Sequence, residues 1–204
     1  MRAWKSVQVD RVKPLVFVLG LYPLLRWVWL GFSGGLTANP AEFLTRSSGL
    51  WAWVLLLITL GITPLRRVLG QPALLRLRRM LGLFAFFYTA LHTVAWAWWD
   101  RSGDWLSMWH DIVQRPFITL GAVATVLMLL LAATSTHGWQ RRLGRRWSTL
   151  HRSVYAVAAL SVVHFYLVRA GKNDVLDVLV YAAIFLVLML LRKWPAAARQ
   201  SPAA

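Results

Sequence analysis

The chain has 204 residues, 58% hydrophobic and 15% charged, with a formal net charge of +16 and no cysteine. A soluble domain usually carries about 25% charged residues, so this balance belongs to a membrane protein. The lack of cysteine excludes disulfides, thiolate zinc sites and iron–sulfur clusters. The basic excess does not suit a nucleic-acid binder either, because the arginines sit between long apolar runs.

Six apolar runs follow one another, at roughly 14–30, 50–64, 81–99, 117–134, 154–168 and 175–191. A spanning helix needs about 20 residues, so the second and fifth must extend into their flanks. Lipid offers no partner for a free backbone group, which makes each run a helix. The expected fold is an all-α membrane protein, a single domain over 1–204 built as a bundle of six transmembrane helices. The first run is longer than the apolar core of a signal peptide and reads as an uncleaved helix. Asn39-Pro40 and Gln71-Pro72 read as loop punctuation. Tryptophans near run ends, among them Trp27, Trp29, Trp98, Trp99, Trp139 and Trp147, read as an interfacial belt.

Charge orients the bundle. Arg2, Lys5, Arg11 and Lys13 precede the first run, and Arg66, Arg67, Arg76, Arg78 and Arg79 fill the second loop. Arg141, Arg142, Arg145, Arg146 and Arg152 fill the fourth, with Arg192, Lys193 and Arg199 in the tail. These are 17 of the 23 basic residues, all on one side, while six of the seven acids fall on the other. By the positive-inside rule the arginine-rich side is cytoplasmic and so are both termini.

With cysteine absent, metal chemistry falls to histidine. His92 lies about 17 Å into the third run and His164 at a similar depth in the fifth, just past the midplane. Ionisable groups at that depth are expensive and functional by default, and matched depth on two helices favours a shared ligand over two separately packed rings. Bis-histidine ligation of haem iron between helices is the natural arrangement. His151, about 20 Å from His164 along the axis and off its face, belongs to a second depth. Opposite it, 14 residues before His92, stands Arg78, which is either part of an inner site or ordinary positive-inside charge. His110 and His137, in loops beside Trp109 and Trp139, read as interfacial. Arginines near each end have a plausible task with haem propionates: Arg101, Arg115 and Arg169 on one side, Arg145, Arg146 and Arg152 on the other.

These residues resemble the ferric reductase-like transmembrane domain of NADPH oxidases and metalloreductases. There the third span carries two histidines separated by thirteen residues and the fifth two separated by twelve. His151 and His164 match the second pair and His92 the outer member of the first, whereas Arg78 takes the place of the inner histidine. The stretches NPAEFL, ITPLRRVLGQPALLRLRRMLGLFAFFYTALH, RPFITLG and ATSTHGWQRRLGRRWSTLHRSVY resemble the MsrQ family more closely. That resemblance implies a multi-pass protein of the bacterial inner membrane holding haem b, with His92, His164 and His151 as iron ligands and Arg78 near the inner one. It implies one haem, or two, with FMN as a further cofactor. It also implies electrons drawn from the quinone pool or a cytosolic flavin reductase and passed to a periplasmic MsrP-like molybdopterin reductase that repairs oxidised methionine. The chain lacks a GxGxxG fingerprint, so its own NADPH domain is not expected. Two other readings stay open: a haem oxidoreductase with a different acceptor, and a proton-relay membrane protein.

Overall fold

The computed structural model describes residue 4 and residues 6–171 and 174–193. Arg2, Lys5 and Arg199, which entered the charge reading, lie outside the described residues. Within these, all regular structure is helical: α1 (Ser6–Phe32), α2 (Pro40–Val68), α3 (Leu75–Ala95), α4 (Trp105–Gln114), α5 (Pro116–Ala133), α6 (His137–Leu143), α7 (Arg145–His151), α8 (Val154–Ala170) and α9 (Leu176–Lys193). A 3₁₀ turn, Pro72–Leu74, leads into α3, and a π-helical turn, Trp96–Asp100, prolongs it.

Among the described residues, five stretches are long and apolar enough to cross a membrane: the helices of α1, α2, α3 with its flanking turns, α5, and α7 joined to α8. The sixth apolar run does form a helix, α9, but its 18 residues include Asp177, Arg192 and Lys193, and it is not among the five. Several runs begin earlier than apolarity suggests, for a local reason. Asn39 is no loop marker but the N-cap of α2, its side chain accepting from the Glu42 amide at 3.1 Å, with Pro40 opening the first turn. Proline fits there because the first amide has no intrahelical partner. The charged residues Arg46, Arg76, Arg78 and Arg79 therefore stand on helices rather than in loops.

The main packing is of antiparallel pairs, α2 on α3 and α5 on α8, with α3 meeting α5 along a narrower seam. For orientation, the end of the bundle where α2 and α5 begin and α3 and α8 finish is called the upper end. Helix α2 is the central one: 56% of its apolar window is buried, against at most 28% in the other four. Leu56 and Leu60 of α2, Leu81, Ala85 and Tyr88 of α3, Met128 of α5 and Val157 and Ala158 of α8 form the continuous core. The Tyr88 hydroxyl, which burial would leave costly if unpaired, donates to the Gly20 carbonyl at 2.8 Å and fastens α1 to α3. Elsewhere leucines and valines such as Val126, Leu129, Val187 and Leu190 face outward, as a lipid-facing belt does.

At the upper end, α4 is an element that apolar runs could not show. It is amphipathic, with Trp105, Leu106, Trp109 and Val113 exposed on one face and Asp104 capping its first amides. Its buried Asp111 pairs with Arg101 and with Arg115, the residue that N-caps α5.

Candidate functional site

The second half of α3 brings His92, and the second half of α8 brings His164, to a common level near the upper end. Their ring centroids are 6.2 Å apart, with the planes nearly perpendicular at 80°. His92 stands eight residues from Asp100 and His164 six from Ala170, about 12 and 9 Å along their helices. The pair thus sits nearer the upper end of these helices than their middle, because α3 begins earlier than its apolar run.

Both rings are tied from behind. His92 donates Nδ1–H to the Thr45 carbonyl of α2 at 2.8 Å, and His164 donates Nδ1–H to the Phe117 carbonyl of α5 at 2.7 Å. A carbonyl only accepts, so each ring carries its proton on Nδ1 and keeps its lone pair on Nε2. Metal-bound histidines are oriented in this way, the outer nitrogen donating to a carbonyl while the other binds. Gly49 and Gly121 face the same rings: a Cβ on Gly49 would lie 3.0 Å from Nδ1 of His92, and one on Gly121 3.0 Å from Nδ1 of His164.

A metal held at about 2 Å from each of two imidazole nitrogens separates the ring centroids by roughly 6 Å, which the observed 6.2 Å meets. Among the described residues, no group of three or more His, Cys, Asp or Glu could hold a bare ion. Two histidines alone suit a metal that brings its own equatorial donors, as iron in porphyrin does. The residues present fit that group.

The lower site is built differently. His151 ends α7, stacked on Trp147 with centroids 4.0 Å apart, and its Nε2 lies 3.1 Å from Thr134 Oγ1. Thr134 gives its single hydroxyl proton to the Leu130 carbonyl at 2.6 Å, so His151 is the donor and its lone pair is on Nδ1. Two turn residues, Arg152 and Ser153, separate α7 from α8, and the structure does not bring His151 to His164. Arg78 is half-buried on α3, and its charge reaches both His151 and Arg192. Arg192 lies over the Tyr155 ring at 4.9 Å, and Arg66 and Arg67 bear on it as well. No ion pair joins these four arginines to an acid among the described residues; Asp10, the one acid at this end, is taken by Lys13 and Arg76.

The upper arginines expected near propionates have other partners: Arg101 and Arg115 hold Asp111, and Arg169 holds Asp174 and Asp177. His110 and His137 are exposed. Four participants escaped sequence reading, the carbonyls of Thr45 and Phe117 and the glycines one turn after each. Their signal was a spacing: each carbonyl precedes its histidine by 47 residues.

With this geometry in place, comparison is informative. Residues 48–162 match the family described as ferric reductase like transmembrane component. The chain is similar to the "Protein-methionine-sulfoxide reductase heme-binding subunit MsrQ" of Bordetella pertussis, 60% identical over 190 residues, 93% of this chain and 91% of that one. The chain belongs to the MsrQ family. Proteins of the same name from Ralstonia nicotianae and Caulobacter vibrioides are 51% and 46% identical, again over 93% of this chain and over 87% and 90% of theirs. No solved structure matches this MsrQ family member. It is thus a redox membrane subunit of ferric reductase-like type, and both histidine levels are reached by the matched segment or lie within two residues of its end.

Proposed function

We propose that this chain is the haem b-bearing electron-transfer subunit of a methionine sulfoxide reductase system, with His92 and His164 as the axial ligands of its upper haem. The observation that carries the reading is the facing pair at 6.2 Å, each ring with Nδ1 tied to a carbonyl and Nε2 left for iron. The names of its relatives support the haem. When bound, the group supplies reversible one-electron chemistry at a fixed place between helices. His92 and His164 would hold the group through Nε2, leaving the iron no position for a substrate, and would tune its potential through their basicity and burial.

A hydrocarbon core of about 30 Å is too wide for one step, and the upper pair lies near one face. The acid-free cluster of Arg66, Arg67, Arg78 and Arg192, in which Arg78 bears on His151, supports a second cofactor at the lower end, since gathered guanidiniums suit a bound anion. A haem propionate or an FMN phosphate has the required chemistry. For His151 to ligate iron through Nε2 it must first give up Thr134. Electrons would enter at this arginine-rich end, from quinol or a flavin reductase in the cytosol, and leave at the upper end to a periplasmic MsrP-like molybdopterin enzyme. In this reading both termini are cytoplasmic, an orientation that the charge asymmetry supports, α9 is the sixth span and the membrane is the bacterial inner membrane.

The test is a reduced-minus-oxidised spectrum of protein purified from haem-replete cells, with pyridine haemochrome counting. Sharp b-type bands are expected; a colourless preparation would overturn the proposal.

A further inference from the structure

The two histidines are held by one device used twice. In α2 the Thr45 carbonyl lies one turn before Gly49; in α5 the Phe117 carbonyl lies one turn before Gly121. Each carbonyl is followed 47 residues later by its histidine. A helical carbonyl already accepts from the amide four residues on, so it takes a second donor only if that donor can approach from the side. A side chain four residues further on leans back over the turn N-terminal to its own Cα, which is where the imidazole lies. Glycine at that position leaves the carbonyl open. The fit is tight, since a Cβ at 3.0 Å from the ring would push it back by a few tenths of an ångström at either site. The other glycines of α2 and α3 differ: at Gly61 and Gly82 a Cβ would meet only the side chains of Leu188 and Thr59, at an ordinary 3.6 Å.

We infer that Gly49 and Gly121 are positioning residues that open the Thr45 and Phe117 carbonyls to the histidines and so set the orientation and basicity of both axial imidazoles alike. The inference rests on the reading of His92 and His164 as haem ligands. A donated Nδ1–H leaves the ring more electron-rich, which favours the oxidised metal. Weakening that bond raises the reduction potential.

Gly49→Ala, Gly121→Ala, Gly61→Ala and Gly82→Ala are to be compared with the parent protein for haem content, redox midpoint, low-spin electron paramagnetic resonance and melting temperature. Gly49→Ala and Gly121→Ala are expected to keep haem, shift the midpoint positive, and displace the low-spin signal. The two shifts should be similar in size, because the contacts are the same. Gly61→Ala and Gly82→Ala should leave midpoint and signal at parental values. A glycine with only a packing role would lower the melting temperature without moving midpoint or signal, and that outcome overturns the inference. An equal shift in the Gly61 and Gly82 controls overturns it too. A parent protein without haem overturns the proposed function itself, and is read on a different sample.

Discussion

At the scale of single residues, a ring nitrogen's role is decided by its neighbour. His92 and His164 donate through Nδ1 to carbonyls, whereas His151 donates through Nε2 to a hydroxyl, so three histidines that look alike in sequence present two different lone pairs. Replacing His92 or His164 with alanine is therefore expected to abolish the main haem absorbance of the purified protein, and His151→Ala to leave most of it. Complete loss of haem from His151→Ala would show the pairing to be wrong. That His92 and His164 lie close together was legible from the sequence, because polar residues at matched depth in apolar helices stand out. Their supports were not. Thr45 and Phe117 act through backbone atoms, and Gly49 and Gly121 through having no side chain, so nothing in the residue types announces them. Nor does spacing alone show that Thr134 holds His151.

At the scale of helices, starts and stops follow capping chemistry more closely than apolarity. Asn39 caps α2 and Asp104 caps α4, and both lie outside any apolar run, which is why α2 reaches ten residues further than its run and α4 was not foreseen. Asn39→Ala should cost about 1 kcal/mol, read as a lowered melting temperature with the spectrum unchanged. The α4–α5 corner is more demanding. Asp111 is buried between Arg101 and Arg115, and Thr119 Oγ1 donates to the Ile112 carbonyl at 2.5 Å. Since Phe117 is the second residue of α5, whatever loosens this corner reaches the carbonyl behind His164. Asp111→Asn should destabilise by about 2 kcal/mol, leaving two partly exposed guanidiniums without their carboxylate. It should also broaden the low-spin haem signal, a change absent from Asn39→Ala. An unaltered signal would mean that the corner and the histidine are independent.

For the molecule as a whole, charge patterning says more than side-chain packing about which way it faces. The chain contains no cysteine, so single introduced thiols report topology cleanly. Ser102→Cys, at the upper end, should react with an impermeant maleimide in intact spheroplasts, and Ser148→Cys, at the arginine-rich end, only after lysis; the reverse pattern would invert the assigned orientation. The sixth run, read as a span from its apolarity, forms α9, which is not among the five candidate spans because charges bound its apolar stretch on both sides, Asp177 and Arg192 with Lys193. The 47-residue repeat of the histidine supports was hidden for another reason: it links positions whose side chains differ, threonine in one hairpin and phenylalanine in the other. That repeat divides the bundle into two hairpins, α2 with α3 and α5 with α8, each contributing one complete half of the upper site and meeting along the narrow seam of α3 and α5. A group gripped from both sides then acts as a brace between two folding units. Haem-free protein should exchange its amide hydrogens hairpin by hairpin, and loaded protein as one cooperative body.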